Sequence, residues 1–204
     1  MIIGLVGQVC AGKSAVAEAF RRRGARVWSA DKAVHEIYRD PRAIREVVRL
    51  FGPEVLNPAG GIDRQALARI VFAGPAPLQK LTRQVIFPRT GRAIRAEVER
   101  FRASRAPALV LDAPTLFESG RDRLCDRIVF VSAPLARRQK WARARGWDRS
   151  ELKRREQRLG DERLKRRRAD AVIRNLGTLR DLDQRVGKIL VRWGGCESAA
   201  APSR

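Results

Sequence analysis

Cysteine, histidine and long apolar runs are scarce in this chain of 204 residues, and each scarcity excludes a class of protein. The cysteines are three, Cys10, Cys125 and Cys196, widely separated and without metal-ligand spacing, which excludes a disulfide scaffold and fits a reducing cytoplasm. The single histidine, His35, is expected to be packed or exposed rather than catalytic. Because no apolar run approaches about 18 residues, the sequence predicts no membrane span. The expected cytoplasmic location follows from the cysteines.

Lysine is also scarce, which changes how the basic charge is interpreted. Seven of the 44 basic residues are Lys and 37 are Arg, and the formal net charge is +22. Such a charge can indicate a nucleic-acid-binding protein. However, the arginines are spread along the chain, without an aromatic-interleaved RNA motif, zinc motif or helix-turn-helix signature. We therefore expect polyanionic small-molecule substrates and no specific nucleic acid, with a basic RNA-binding protein as an alternative.

The first fourteen residues carry the strongest functional signal. Residues 1–6 form a short apolar run, typical of a strand buried on both faces of a parallel sheet. Residues 7–14, GQVCAGKS, satisfy the G-x-x-x-x-G-K-[ST] motif in full, and a helical pattern follows. This strand, loop and helix predict a nucleotide-binding phosphate loop.

Each residue type of the loop has a physical role toward a phosphate chain. Gly7 and Gly12 let the main chain approach the phosphates, and the following helix directs its N–H groups and positive dipole end at the same point. Lys13 would reach the terminal phosphates of a bound nucleotide, and the Ser14 hydroxyl would ligate Mg²⁺. The predicted nucleotide-binding residues of this segment are Gly7, Ala11, Gly12, Lys13, Ser14 and Ala15.

A carboxylate follows the second predicted strand. Residues 25–28 read as that strand, and Asp31 comes just after it, where ligands bind in an open α/β sheet. Asp31 could accept a proton from an attacking hydroxyl, or it could cap the next helix, residues 32–38. The two interpretations are equally supported by the residues themselves.

The segment between the second and third predicted strands is long and mainly helical. Asp63 is expected to cap one of its helices, with Arg64 beside it, and residues 74–77 are expected to break the chain. A long amphipathic helix is predicted from about Pro88 to Ser104. We interpret residues 32–104 as a helical insertion that binds the acceptor substrate, within a core formed by residues 1–31 and 105–193.

The second half of the chain returns to strands. Residues 108–112 read as a buried strand, and Asp112 at its end is a candidate for holding Mg²⁺, although it could cap a turn before Pro114. Another strand, residues 127–131, precedes a basic helical pair within residues 134–168, predicted to form a lid whose second helix is capped by Ser150. A last strand at 171–173 and a closing helix at about 179–193 follow, and residues 194–204 are expected to be disordered.

This arrangement resembles the dephospho-coenzyme A kinases, which implies an α/β fold: a parallel-sheet P-loop nucleotide-kinase core with a helical substrate-binding insertion and a basic helical lid. The matching stretches span residues 2–177 in the family's order. They are Ile3-Gly4-Leu5 before the phosphate loop, Ala30-Asp31, Ile62-Asp63-Arg64 with Leu67 and Val71-Phe72, residues 111–114 with 116–118, Arg145-Gly146-Trp147, and residues 169–173 with Asn175.

The resemblance implies transfer of the ATP γ-phosphate to the ribose 3′-hydroxyl of dephospho-CoA, with ATP and Mg²⁺ as cofactors. It implies that Asp31 is the catalytic base and that Lys13 and Arg145 are catalytic cations. The implied contacts also include Asn175 for ATP, and Asp31, Arg64, Pro114 and Glu118 for the acceptor. The expected partners are these small molecules, for a protein that is a monomer or a small homo-oligomer and does not bind membranes.

Several positions depart from the family's usual pattern. In this chain Ser29 replaces the first of two carboxylates, Val6-Gly7-Gln8 replaces Thr-Gly-Gly, and Phe87 replaces His. Trp141 stands where an additional lid arginine is common, and Leu159 replaces a frequent Gln. They leave two further alternatives: a kinase of the same loop class with another nucleotide or nucleoside acceptor, and a degenerate ATP-binding protein that transfers nothing.

Overall fold

The computed structural model describes residues 1–194. These residues divide into two compact units: residues 1–28 together with the chain from residue 100 form one, and residues 29–99 form the other. The predicted boundaries were 31/32 and 104/105. Beyond Gly194, the tail that the sequence predicts to be disordered lies outside the described residues, as does Cys196.

The first unit is built on a five-stranded sheet. Its strands are β1 (Ile2–Gly7), β2 (Arg26–Ser29), β3 (Leu109–Asp112), β4 (Arg127–Ser132) and β5 (Ala171–Arg174). Their order in the sheet is β2-β3-β1-β4-β5. β1 pairs in parallel with β3 and β4, and β4 pairs in parallel with β5. This parallel sheet confirms the predicted α/β fold.

Burial on both faces explains why the central strands read as continuous apolar runs. In β1, Leu5 and Val6 point to opposite faces and both are fully buried. Leu5 belongs to a core that also contains Phe20 and Val186 from the helices on that face. The two-sided burial confirms the prediction for the first strand.

Ten α-helices accompany the strands within residues 1–194. They are α1 (Lys13–Arg22), α2 (Ala30–Ile37), α3 (Pro41–Phe51), α4 (Arg64–Val71), α5 (Pro75–Leu81), α6 (Phe87–Arg102), α7 (Leu135–Arg143), α8 (Arg149–Arg158), α9 (Glu162–Arg167) and α10 (Leu179–Arg192). Over this part of the chain, no helix combines the length and apolarity that crossing a bilayer requires.

The unit of residues 29–99 is helical and has a core of its own. Ile37, Val47 and Val85 are among the side chains buried in it. Asp63 caps α4 as predicted, since its carboxylate accepts from the N–H groups of Gln65 at 2.8 Å and Ala66 at 3.1 Å.

The predicted break at residues 74–77 is wrong in detail. A helix, α5, begins inside the predicted break, because Gly74 serves as its N-cap and Pro75 is favourable at the first helical position. Five residues of π-helical backbone, Thr82–Ile86, then connect α5 to α6. The prolines that suggested a break are therefore at positions a helix tolerates, whereas α6, Phe87–Arg102, agrees with the long helix predicted from about Pro88 to Ser104.

The basic segment after β4 contains three helices, α7, α8 and α9, where the sequence predicted two. Gly160, with a left-handed φ of +69°, separates α8 from α9, and Asp161 caps α9. The predicted Ser150 cap of α8 is also wrong: Asp148 accepts from the Glu151 N–H at 2.7 Å, and Ser150 donates its hydroxyl to Asp148.

Candidate nucleotide-binding and catalytic site

The phosphate loop spans the end of β1 and the start of α1. β1 ends at Gly7, and α1 begins at Lys13, so the motif occupies the predicted turn between strand and helix. A Cβ on Gly7 would lie 2.9 Å from the Val131 nitrogen and closer still to the Val131 carbonyl oxygen. Gly7 is therefore required by the main chain of β4, which passes directly beside it.

Gly12 is required for two reasons at the start of α1. Its φ is +88°, and a Cβ there would overlap the amide nitrogen of Asn175. No side chain caps α1, and its first turn has no acidic residue. The end of this helix therefore presents its positive dipole and first-turn N–H groups without a competing carboxylate, as an anion site requires.

Asn175 holds the loop from the side of β5. Its side chain is buried and donates from Nδ2 to the Ala11 carbonyl at 3.0 Å. Its own carbonyl accepts from Arg137 at 3.3 Å. Asn175, predicted as a residue of the ATP site, therefore contacts the loop through a hydrogen bond from its side chain to the main chain of Ala11.

The lysine predicted to bind phosphates and the two predicted Mg²⁺ ligands all follow or end strands at the same edge of the sheet. Lys13 Nζ is 3.5 Å from the Gln8 carbonyl, so the lysine side chain extends back over the loop. Ser14 is exposed on the first turn of α1. Asp112 is the last residue of β3 and pairs in register with Leu5 of β1. Hydroxyl and carboxylate oxygens of this kind are donors that suit Mg²⁺.

Arg145, after α7, reaches the phosphate loop directly. Its Nη1 donates to the Cys10 sulfur at 3.2 Å. Cys10 has a φ of +56° and is the one non-glycine residue with positive φ between positions 1 and 194. The Arg145 guanidinium also lies 5.6 Å from the ring centre of Trp147, whose ring holds Arg155 at 3.9 Å. Arg145 is therefore oriented by an aromatic side chain as well as by the loop.

A small apolar cluster joins the loop to α7 and α8. Val9 and Cys10 of the loop pack with the buried side chains Ala142 and Leu152. Trp141, Trp147 and Leu159 pack against this cluster. Trp141 and Leu159, which depart from the family's usual residues, therefore have packing roles at the loop.

Pro114 and Glu118 lie in the loop after β3 and share one partner that the sequence analysis did not single out. Lys165 of α9 donates to the Pro114 carbonyl at 3.0 Å and pairs with Glu118 Oε1 at 2.6 Å. Gln8 is a second residue that was missed: its amide accepts from the Ala133 N–H and donates to Glu162 at 2.7 Å. The partners of both are far away in sequence, so no local pattern indicates them.

Asp31 and Arg64 belong to the other unit. Ser29 caps α2 by accepting from the Lys32 N–H at 3.5 Å, and Asp31 is the second residue of that helix. The alternative in which Asp31 is the cap is therefore wrong. Arg64 begins α4, with Nη1 3.5 Å from His35 Nδ1. Burial raises the pKa of Tyr38, and the nearby Arg64 charge opposes that shift.

The chain is similar to dephospho-CoA kinases over most of its length. The family model described as dephospho-CoA kinase matches residues 1–181. A dephospho-CoA kinase of Symbiobacterium thermophilum is 42% identical over 183 residues, covering 87% of this chain and 75% of the relative. A crystal structure from Thermus thermophilus is 35% identical with a TM-score of 0.80, covering 94% of this chain and 97% of that one. The structure of a dephospho-CoA kinase from Campylobacter jejuni, 19% identical with a TM-score of 0.61, covers 94% of this chain and 96% of that one and shares the fold.

Proposed function

The chain belongs to the dephospho-CoA kinase family, and from this membership we propose that it transfers the γ-phosphate of ATP to the ribose 3′-hydroxyl of dephospho-CoA. The 3′-oxygen forms a bond to the γ-phosphorus while the bond from that phosphorus to the ADP oxygen breaks. The products are CoA and ADP. The observation that carries this proposal is the complete phosphate loop within a matched family sequence.

The nucleotide half of the reaction is assigned to the cradle around α1. In this proposal Gly7, Ala11, Gly12, Ser14 and Ala15 bind the ATP phosphates, largely through main-chain N–H groups. Lys13 offsets charge on the β- and γ-phosphates. The support is the main-chain fit of Gly7 to Val131 and the uncapped first turn of α1.

Ser14 and Asp112 would hold Mg²⁺ together with the nucleotide. Their hydroxyl and carboxylate oxygens fit a hard cation that keeps several waters and uses few protein ligands. Within residues 1–194, no group of three or more His, Cys, Asp or Glu side chains could form an all-protein cage, which agrees with binding shared with phosphates. The ion supplies charge neutralisation on the transferring phosphoryl group.

The acceptor half is assigned to Asp31, Arg64, Pro114 and Glu118. Asp31 accepts the proton of the 3′-hydroxyl as the oxygen attacks, and Arg64, Pro114 and Glu118 bind the acceptor. The support for Asp31 is its place after β2, with the cap of α2 supplied by Ser29 instead. We further propose that residues 32–104 form the acceptor-binding insertion, and residues 134–168 the lid that carries Arg145.

The cell compartment and assembly complete the proposal. We place the enzyme in the cytoplasm, in agreement with three widely spaced cysteines, of which Cys10 and Cys125 are free thiols. We propose a monomer or small homo-oligomer whose partners are ATP and dephospho-CoA, and Asn175 as a further residue of the ATP site.

A panel of acceptors with γ-labelled ATP tests the substrate. We expect label in CoA when dephospho-CoA is supplied, and little label in nucleosides or nucleoside monophosphates. Transfer to a nucleotide instead would support another kinase of the same loop class. ATP binding without transfer to any acceptor would identify a non-catalytic member of the family.

Asp31→Asn tests the base. The variant keeps the size of the side chain and should bind Mg·ATP normally by calorimetry. Its kcat should fall by about 100-fold or more, because general-base catalysis contributes on this order. A near-normal kcat would remove Asp31 from the proposed role.

A further inference from the structure

The buried lysine of α9 has no role in the function described so far. Lys165 is 5% exposed, although lysine is rarely buried without a partner. Its ammonium group is satisfied by two groups of one loop, the Pro114 carbonyl and the Glu118 carboxylate. A lysine in this position costs desolvation, so both partners are needed to keep it there.

The loop that Lys165 holds is compact and begins at the end of β3. The Leu116 N–H bonds the Ala113 carbonyl at 3.1 Å, the Ser119 N–H bonds the Thr115 carbonyl at 3.1 Å, and Leu116 is fully buried. Lys165 contacts this turn near its beginning, at Pro114, and near its end, at Glu118. One ammonium group therefore sets the position of both residues.

The same short helix also contacts the phosphate loop. Glu162 lies three residues before Lys165, on the same side of α9, and accepts from the Gln8 amide at 2.7 Å. A cavity beside the phosphate loop is lined by Gln8, Glu162 and Lys165. α9 thus connects the phosphate loop to the loop after β3, through two polar side chains.

We propose that Lys165 is a positioning residue for the acceptor: it holds Pro114 and Glu118 where the dephospho-CoA substrate meets them. This inference rests on the proposed function, because Pro114 and Glu118 are acceptor contacts only there. It adds that the lid segment controls acceptor binding as well as carrying Arg145. Lys165 itself touches neither substrate.

Lys165→Met tests this role by separating the two substrates. The substitution keeps the apolar stem and removes the ammonium group, so the Pro114–Glu118 loop loses its anchor. We expect the KM for dephospho-CoA to rise roughly tenfold to a hundredfold, as misplaced binding groups do, with the Kd for Mg·ATP unchanged within about twofold. Lys165→Arg should restore much of the acceptor KM, because it keeps a cation at this position.

Arg167→Met is the matched control. Arg167 lies on α9 two residues after Lys165, so its side chain points to another face of the helix, and it is exposed. Its loss should leave both substrate constants unchanged. Equal weakening of the binding of both substrates in Lys165→Met, or the same rise in acceptor KM in Arg167→Met, would overturn the proposal.

Amide hydrogen exchange without substrates separates this proposal from the proposed function. Residues 115–119 should exchange faster in Lys165→Met than in the parent protein, and at the parent rate in Arg167→Met. If the parent protein does not phosphorylate dephospho-CoA, the proposed function fails while this exchange still reports on the anchor. If Lys165→Met does not fold, Lys165→Gln, which loses the charge that pairs with Glu118 but keeps a donor for Pro114, should show a smaller acceleration in the same residues. An unchanged exchange rate of residues 115–119 in the Lys165 variants would contradict the claim that Lys165 holds this loop.

Discussion

The phosphate loop and the lid segment contact each other, but they are built differently. The loop is held by main-chain fit: Gly7 lies against the backbone of Val131, and Gly12 lies against the buried amide of Asn175. The lid segment of α7, α8 and α9 is held by side chains, through the apolar cluster that includes Ala142 and Leu152 and through the Lys165–Glu118 pair. Backbone contacts allow few alternatives, whereas side chains can adopt other rotamers and partners.

The difference teaches which part of the site is rigid and which part can move. Overlap with a backbone cannot be relieved by a rotamer change, so the loop has one geometry. Side-chain contacts such as those of the apolar cluster and of Lys165 can be remade by rotamer changes. A lid attached in this way can change its position more readily than the loop, as a kinase that excludes water requires.

Gly7→Ala should produce the largest effect, because it breaks the rigid part. A Cβ forced against β4 should lower the free energy of unfolding by about 3 kcal/mol or more. For a chain of this size that corresponds to a fall in Tm of about 6–12 °C, measured by calorimetry, with loss of ATP binding.

Gly60→Ala is the control for Gly7→Ala. Gly60 has a φ of +77°, but no atom lies within 4 Å of its would-be Cβ, so only backbone strain is added. Its Tm should fall much less, and ATP binding should persist. Equal losses in the two variants would show that the main-chain fit at Gly7 is not special.

Arg145→Gln tests the lid segment and should affect turnover more than folding. If Arg145 offsets charge on the transferring phosphoryl group as proposed, its removal should lower kcat by about 100-fold, with Tm nearly unchanged. Trp147→Leu should lower kcat by about tenfold, because the ring that orients the guanidinium is lost while the charge remains.

Arg143→Gln serves as the matched control for the lid. Arg143 is exposed, and within residues 1–194 its guanidinium donates to the Gln139 carbonyl of its own helix. Steady-state kinetics should show its kcat unchanged. A loss comparable with that of Arg145→Gln would mean that general lid charge matters, and not the Arg145 contact with the loop.

Acid pH should have the smallest of these effects, and it should destabilise α8 in the lid without a corresponding effect on α1 after the phosphate loop. Asp148 caps α8, and the bond from the Glu151 N–H holds the pKa of Asp148 below its usual value of 3.8. A lowered folded-state pKa adds stability above pH 3.8 that is lost as the pH falls through the folded-state pKa. α1, capped by Gly12, has no such dependence.

Exchange protection factors for α8 and α1 across this acid range check the prediction. Protection in α8 should fall before protection in α1. Asp148→Asn, which keeps an acceptor at the cap without a titrating carboxyl, should remove the difference. Loss of protection in α8 and α1 at the same pH would contradict the prediction.

The sequence predicted the loop well and the lid poorly, for a physical reason. Backbone constraints require glycine at fixed spacing, so Gly7 and Gly12 are visible as a motif. A local rule also identified Asp63 as a cap. The same rule chose Ser150 over Asp148, because both residue types cap helices and lie two positions apart.

Contacts between distant residues could not be predicted in the same way. Lys165 is one of many cations in a basic segment, and its partners are 47 and 51 residues away. Gln8 bonds Glu162 across 154 residues. The residues that orient the site therefore became apparent only from the fold, while the residues of the motif were apparent beforehand.

Calorimetry with Mg·ATP tests the central claim, that a main-chain cradle at the start of the chain binds the nucleotide. The parent protein should show saturable heat at one site. Lys13→Met should bind roughly 30- to 100-fold more weakly, as expected from the loss of a charged contact worth about 2–3 kcal/mol. No heat with the parent protein, or equal affinity in Lys13→Met, would contradict the account.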